Sequence, residues 1–282
     1  MKLARFGEKG SEKPAIVDEA GKLRDISNIV DDIDGNSLAN GLLETLKGIE
    51  LAELPVVDGQ ERLAEPVGKV GNFICVGLNY SDHIKESGMD TPAEPVLFLK
   101  AVSSIIGPYD EIVLPKNSSK VDWEVELGVV IGKRASYVSE EEAMNYVAGL
   151  CVVDDVSERS FQLERSGQWT KGKGCPTFGP FGPWLVTLDE VDKLDNLNLW
   201  LDVNNKRMQT GNTGLMVFKI PHLVHYISQF MVLEPGDLIS TGTPPGVGAG
   251  MNPQAWLKKD DVVELGIDGL GSQRHDIVPF NG

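Results

Sequence analysis

The chain has 282 residues, of which 41% are hydrophobic and 24% charged, a composition typical of a globular protein with a substantial core. Its formal net charge of −16 disfavours binding to the phosphate backbone of a nucleic acid. No apolar run approaches the roughly 18 residues of a membrane-spanning helix, and the first residues lack the apolar core of a signal peptide. We therefore expect neither nucleic-acid nor membrane partners. The cysteines have no metal-type spacing, so we expect a reduced, cytoplasmic protein.

Residues 1–68 predict a small N-terminal domain that contains β-strands. The segments KLARFG, PAIVD and KLRDIS have strand composition and are separated by turns rich in Gly, Pro, Glu and Lys. A helical or loop region, SLANGLLETLKGIELAEL, follows them. The Pro- and Gly-rich segment EPVGKVGN then predicts a boundary, after which residues 69–282 form a second domain.

The second domain is predicted to be rich in strands with a few scattered helices. FICVGLNY predicts a strand that leads into a short helix, SDHIKESG, with Ser81 or Asp82 as N-cap and Gly88 as stop. VLFLKA, WEVELGVVIG and CVVDDVS predict further strands, and LWLDVNNKRMQTG predicts a hairpin. IPHLVHYISQFM predicts a helix, as does SEEEAMNYVAGL through a capping box from Ser139 to Glu142. This pattern indicates an α+β domain built on a curled sheet or barrel.

Two glutamates in WEVELGVVIG lie on one face of the predicted strand. Glu124 and Glu126 are two residues apart, so their Cα atoms are roughly 6.6 Å apart and their side chains point the same way. A solvated strand face is one interpretation, but the apolar run 129–131 indicates burial on both faces. Buried carboxylates need a partner or a metal, and hard divalent cations take oxygen ligands. Asp154 and Asp155 offer a third acid, with a helix cap as the alternative.

A second candidate site combines a histidine with a glutamate. His83 and Glu86 are three residues apart on the predicted HIKE helix, so the carboxylate can orient the imidazole as a water-activating base. Such a pair also arises often by chance. The loop KGKGCPTFGPFGPW carries Lys171 and Lys173; it is either a flexible surface loop or a rigid one that presents a cation to an oxyanion.

Six segments, taken together and in this order, resemble the fumarylacetoacetate hydrolase family. They are FICVGLNYSDHIKE, PVLFLKA, DWEVELGVVIGK, VDDVSERSFQ, KGKGCPTFGPFGPW and GDLISTGTPPGVG. The resemblance implies an α+β catalytic fold, a mixed β-roll or distorted barrel, preceded by the short N-terminal cap of the bacterial members. It also implies a homodimer, with a tetramer as the alternative.

The resemblance assigns roles to the acidic residues. Glu124 and Glu126 match the family's paired metal-binding glutamates, which hold Mg²⁺ or Mn²⁺. Asp155 matches the third ligand, because Arg159 and Gln162 fall where the family's D-x-x-x-R-x-x-Q pattern requires. An additional aspartate that larger members place just before the histidine has no counterpart here, so water or substrate oxygens must complete the coordination.

The resemblance also assigns catalytic and substrate-binding residues. His83 and Glu86 match the water-activating dyad, and Lys173 matches a lysine that stabilises an oxyanion or protonates the departing carbon. The positions that match substrate-binding residues are Gln162, Gly242 and Thr243. The segment ESGMDTP, residues 86–92, is expected to be either a lid or an ordinary loop.

The implied activity is metal-dependent cleavage of a carbon–carbon bond in a 2,4-diketo acid, an acylpyruvate or a diketo-deoxy sugar acid. The bond breaks through a metal-stabilised enolate and a His–Glu activated water. The alternative within the family is a decarboxylase, isomerase or lyase that acts on oxaloacetate, 2-hydroxyhepta-2,4-diene-1,7-dioate or ureidoglycolate. A rival from another class is a non-catalytic metal- or acid-binding protein, against which the complete set of matching positions argues.

Overall fold

The computed structural model of the protein describes residues 1–57 and 59–281. Asp58 and Gly282, which fall in the two predicted domain ranges, lie outside the described residues. The strands are β1 Lys2–Phe6, β2 Lys13–Val17, β3 Leu23–Asp25, β4 Leu63–Ala64, β5 Phe73–Gly77, β6 Val96–Lys100, β7 Ile105–Ile106, β8 Ile112–Leu114, β9 Val121–Asp122, β10 Val125–Ile131, β11 Val147–Asp154, β12 Ser157–Glu158, β13 Gly179–Val186, β14 Asn198–Val203, β15 Lys206–Asn212, β16 Leu238–Ser240, β17 Val262–Ile267 and β18 Gly271–Pro279. The α-helices are α1 Gly35–Ala39, α2 Leu42–Lys47, α3 Ser81–Ser87, α4 Arg159–Leu163, α5 Thr170–Lys173 and α6 Ile220–Ile227.

Two mixed β-sheets form the body of the protein. In the larger sheet the strands follow the order β3-β2-β1-β13-β11-β10-β16-β5-β6, with β4 beside β1 and β7 beside β13. The smaller sheet has the order β15-β14-β17-β18-β8. Apolar side chains from both sheets share one core, and other apolar side chains of the larger sheet pack with α1 and α2 in a second. The combination of mixed sheets with a few short helices confirms the predicted α+β class. None of the described helices is long and apolar enough to cross a membrane.

The N-terminal strands continue the larger sheet. The three strands predicted in this region are present as β1, β2 and β3. β1 pairs with β13 in antiparallel register, with Lys2 opposite Val186 and Leu3 opposite Leu185. Hydrogen bonding therefore crosses the predicted boundary between residues 68 and 69, and the division into two domains stays a prediction.

Strand β10 lies at the centre of the larger sheet, and this position fixes the residues around it. All seven of its residues are buried, as the unbroken apolar run predicted. It pairs with β11 on one side and β16 on the other. A Cβ atom on Gly128 would lie 2.5 Å from the Cys151 sulfur, so the packing between β10 and β11 requires glycine there. Side chains at the beginning of β10 are therefore held by a buried strand that is paired on both sides.

Local helix signals were partly wrong. The helix predicted from SEEEAMNYVAGL is only a 3-10 turn over Ala143–Tyr146, because Val147 begins β11 and pairs with β10. The Ser139 hydroxyl still accepts the Glu142 N–H at 3.3 Å, so the cap forms without the helix. Burial of β11 outweighs the local capping preference.

The other predicted helices are present. Helix α3 is capped by Tyr80 rather than by Ser81 or Asp82, and no side-chain bond caps it. It ends at Gly88, whose φ of +68° is the left-handed conformation expected of a glycine stop. α6 forms with Pro221 in its first turn, and β14 and β15 form the predicted hairpin.

Candidate active site

Three buried carboxylates gather where β10 begins and β11 ends. Glu124 directly precedes β10, Glu126 is its second residue, and Asp155 directly follows β11. The antiparallel register places Val125 opposite Asp154, which brings Asp155 to the two glutamates. One oxygen of each carboxylate lies within 4.8 Å of the others. The fold therefore brings together the three acids that the sequence singled out.

Buried cations neutralise two of these carboxylates. Lys173 Nζ lies 2.6 Å from Glu124 Oε2 and 2.6 Å from Asp155 Oδ2. Lys100 Nζ lies 2.6 Å from the other Asp155 oxygen, and Arg159 Nη2 lies 2.6 Å from Glu124 Oε1. Sequence reasoning missed Lys100, although a lysine that ends an apolar strand is a usable signal. Its side chain is fully buried.

The third carboxylate has a different environment. Among the described residues no lysine or arginine forms an ion pair with Glu126; its Oε2 accepts the Ser240 hydroxyl at 2.6 Å and the Gly242 N–H at 2.8 Å. Burial and the negative charges of Asp155 and Glu124 raise the pKa of Glu126 well above its ordinary value. Burial alone would also raise the pKa of Glu124, but its two cations lower it.

The charges of the whole buried cluster fit a divalent cation. Within the described chain the cluster contains five buried carboxylates, Asp122, Glu124, Glu126, Asp154 and Asp155, and three buried cations, Lys100, Arg159 and Lys173. Two negative charges are unbalanced when all of these groups are ionised. The Asp154 Oδ2 has no hydrogen-bond partner among the described residues, and burial raises the pKa of this acid to about 7. A hard cation with two positive charges, which prefers oxygen ligands, matches this donor set.

The histidine and glutamate of α3 form the predicted pair. His83 Nδ1 lies 3.0 Å from Glu86 Oε2, and the other Glu86 oxygen accepts the Gly246 N–H at 3.0 Å. With Nδ1 donating to the carboxylate, Nε2 is left to accept a proton. Gly246 has a φ of +103°, and an added Cβ would lie 2.0 Å from the Met208 carbonyl oxygen, so only glycine fits this turn.

Arg159 connects the carboxylates with the loop that holds Glu86. Its Nε donates to Asp122 Oδ2 at 2.8 Å, in addition to its bond with Glu124. Asp122 in turn accepts the N–H groups of Gly248 and Ala249 at 2.6 and 3.0 Å. The loop after β16 is therefore hydrogen-bonded to Glu86 of the dyad at Gly246 and, two residues later, to Asp122, the partner of Arg159.

The carboxylates and the dyad face one cavity of about 270 Å³. The predicted site residues that line it are His83, Glu86, Glu124, Glu126, Asp155, Gln162, Lys173 and Thr243. The structure places Gly242 behind this surface, where its N–H holds Glu126. The Thr243 hydroxyl donates to the Val125 carbonyl at 2.9 Å, so its oxygen is engaged within the protein. Sequence reasoning missed the apolar lining residues, which are Val76, Leu78, Met89, Phe98, Leu163, Trp169, Val247 and Ala249.

Comparison with known families places this site in context. Residues 72–278 match the family model described as fumarylacetoacetate (FAA) hydrolase C-terminal. The chain belongs to the fumarylacetoacetate hydrolase family. This confirms the resemblance inferred from the six sequence segments, and the protein is an enzyme of that family.

Individual relatives span nearly the whole chain. A Burkholderia ambifaria protein, named a hydrolase only provisionally, is 56% identical over 274 residues, which are 97% of each chain. The 2-hydroxyhepta-2,4-diene-1,7-dioate isomerase from Mycobacterium marinum is 31% identical with a TM-score of 0.74, and all of both chains is covered. Maleylpyruvate hydrolase from Sphingobium sp. SYK-6, solved in complex with manganese(II) and pyruvate, is 28% identical with a TM-score of 0.82, again over all of both chains. The fold is thus shared by a hydrolase and an isomerase.

Proposed function

We propose that this enzyme is a divalent-metal-dependent hydrolase that cleaves the C3–C4 bond of a 2,4-diketo acid. The observation that carries the proposal is that the His83–Glu86 pair and the three buried carboxylates line the same cavity. A water-activating base beside a site for a hard cation is the combination that hydrolysis of such an acid needs. The complex of the Sphingobium hydrolase with manganese(II) and pyruvate supports it.

Glu124, Glu126 and Asp155 would hold Mg²⁺ or Mn²⁺ in this proposal. A bound ion of this kind would supply Lewis-acid polarisation of substrate oxygens. Burial opposes the charge of Lys173, but Asp155 and Glu124 raise the pKa of its ammonium group above the ordinary value. Lys173 Nζ lies beside the proposed metal ligands, where it would stabilise a developing oxyanion or protonate the departing carbon.

The dyad supplies the nucleophile. Glu86 accepts a hydrogen bond from the Nδ1–H of His83, which holds the ring with Nε2 free to remove a proton from water. The water oxygen bonds to the C4 carbonyl carbon, and the C3–C4 bond then breaks with its electron pair left on the C3 fragment. Return of one proton to C3 gives pyruvate or a substituted 2-oxo acid, and the acyl fragment leaves as a carboxylic acid.

An isomerase, decarboxylase or lyase is the alternative. The isomerase from Mycobacterium marinum shares the fold over the entire chain, so the scaffold also supports reactions without water addition. Such a reaction on 2-hydroxyhepta-2,4-diene-1,7-dioate, oxaloacetate or ureidoglycolate needs a stabilised enolate or alkoxide but no attacking water. Loss of the water-activating histidine separates the two possibilities.

The experiment measures pyruvate release, and glyoxylate release in the case of ureidoglycolate, by EDTA-treated protein with Mn²⁺ or Mg²⁺ restored. Acylpyruvates, a diketo-deoxy sugar acid, oxaloacetate and ureidoglycolate are compared for wild type, His83→Ala and Glu124→Ala. His222→Ala is the matched control, because His222 also pairs with a glutamate at 3.0 Å but does not line the cavity. Metal-dependent cleavage of a diketo acid, lost in both site variants and kept in the control, supports the hydrolase. Turnover that survives in His83→Ala would favour the alternative.

We also propose that the enzyme acts as a homodimer, on the strength of the family resemblance alone. Light scattering coupled to size-exclusion chromatography measures the mass in solution, which is then compared with the chain mass of 30.6 kDa. A mass equal to that of one chain at assay concentration would contradict the homodimer.

A further inference from the structure

The cavity has a charged floor and an apolar rim. The side chains of Glu124 and Asp155 are only 8% and 1% exposed, which places them at the bottom. Met89 and Leu163 are 55% and 57% exposed and line the same cavity, so they lie at its opening. A ligand that reaches the carboxylates therefore passes hydrocarbon side chains on its way, and its far end stays beside them.

An aromatic corner joins the floor to the rim. The Phe98 ring centroid lies 5.1 Å from Lys173 Nζ, and Trp169 packs edge-to-face on Phe98 with centroids 5.3 Å apart. Trp169 reaches this position because Gly77 of β5 has no side chain; a Cβ there would lie 2.8 Å from the indole. The apolar surface thus begins right next to the reacting end of the site.

The cations that line the cavity are already paired with carboxylates of the protein. Lys173 is held by Glu124 and Asp155, and Arg159 by Glu124 and Asp122. The described lining contains no other lysine or arginine. A second carboxylate at the far end of a substrate would meet no unpaired lysine or arginine among these lining residues and would leave the apolar rim uncovered. An alkyl or aryl group there removes apolar surface from water, a gain that the hydroxyl groups of a sugar acid do not supply.

We propose that the substrate carries an uncharged hydrocarbon, an alkyl or aryl group, as its acyl end, held by Phe98, Leu163 and Trp169. This rests on the proposed function for the reacting end and selects among its substrates: alkyl- or arylpyruvates rather than dicarboxylates or polyhydroxylated acids. The cavity of about 270 Å³ is small for a ligand pocket, which suits such short acids.

A matched pair of substrates tests the proposal. 2,4-Dioxoheptanoate and 2,4-dioxoheptanedioate have the same chain length and differ only in a methyl or carboxylate end. With Mn²⁺ present we expect kcat/KM to be at least about tenfold higher for the monoacid, because its hydrocarbon end removes apolar surface of the rim from water. Equal values, or a preference for the diacid, would overturn the proposal.

Calorimetry separates this proposal from the proposed hydrolysis. 2-Oxoheptanoate and 2-oxoheptanedioate lack the 4-oxo group and are not cleaved, and each is titrated into Mg²⁺-loaded protein. Tighter binding of the monoacid supports the apolar subsite even when no diketo acid is hydrolysed, in which case only the hydrolase proposal fails. Tighter binding of the diacid contradicts the subsite whatever the activity.

A charge placed at the rim should change the preference. Leu163 ends α4 and is more than half exposed, so Leu163→Lys is compatible with folding, which circular dichroism checks. We expect the diacid-to-monoacid ratio of kcat/KM to rise about fivefold, and this gain to shrink in high salt. Leu163→Gln is the control for size and polarity and should leave the diacid disfavoured. An unchanged ratio in folded Leu163→Lys would contradict contact between this rim and the acyl end.

Discussion

The buried lysine beneath Asp155 offers the sharpest test of how the site is held together. Lys100 is fully buried, and its Nζ donates to Asp155 Oδ1 at 2.6 Å and to the Val156 carbonyl at 3.0 Å. Lys100→Met keeps most of the side-chain volume and removes the charge. Asp155 then keeps only Lys173 as a counter-ion, and the Val156 carbonyl loses its donor.

The expected loss of stability follows from burial. Removing one partner of a buried ion pair costs about 3–5 kcal/mol, because the other charge stays buried without compensation. Asp155 retains Lys173 at 2.6 Å, so we expect the lower end, about 3 kcal/mol. Lys69 pairs with Asp34 at 2.8 Å but is 75% exposed, and the same change to methionine there should cost at most about 1 kcal/mol.

Urea unfolding of metal-free protein, followed by tryptophan fluorescence, measures both variants under one condition. EDTA is present throughout, so that metal binding does not mask the change. The expected result is a fall in the unfolding midpoint for Lys100→Met that is several times larger than for Lys69→Met, with an unchanged slope. Equal shifts would contradict this expectation, because burial would then not control the strength of the pair.

Three further predictions concern the metal, a salt bridge and the loop whose Gly246 N–H holds Glu86. Mn²⁺ at a hundred times its dissociation constant should stabilise the EDTA-treated protein by about 2.7 kcal/mol. The Glu126→Gln variant should lose most of this stabilisation at the same Mn²⁺ concentration, which a thermal-shift titration measures. Burial would raise the pKa of Asp110, but Arg62 lowers this pKa below its ordinary value of 3.8. The ion pair therefore stabilises the folded protein above about pH 4, and this contribution is lost as the pH falls through the pKa of Asp110 in the folded protein. Urea titrations of Asp110→Asn should therefore show a cost of about 1–2 kcal/mol near neutral pH that shrinks below about pH 4. Gly246→Ala should lower kcat by up to about a hundredfold, since the added Cβ displaces the N–H that holds Glu86; an unchanged steady-state rate would contradict this.

Local periodicity in the sequence was enough to predict the parts of the site that lie within single elements. Side chains two apart on a strand share a face, and this rule alone places Glu124 beside Glu126. Three residues on a helix likewise put His83 next to Glu86. The order of the six segments was sufficient to identify the family, and the family model then matched over residues 72–278.

The pairing of the buried charges, in contrast, depends on the tertiary fold. Lys100 and Asp155 are 55 positions apart, and their contact depends on how β6 and β11 are arranged in the sheet. The apolar rim also depends on the tertiary fold, because Phe98 and Trp169 come from separate segments of the chain that share no sequence motif. The predicted helix near residue 139 failed for a related reason. Its local cap formed, but pairing of β11 with the buried β10 contributes more free energy than one helical turn, and long-range pairing cannot be read from neighbouring residues.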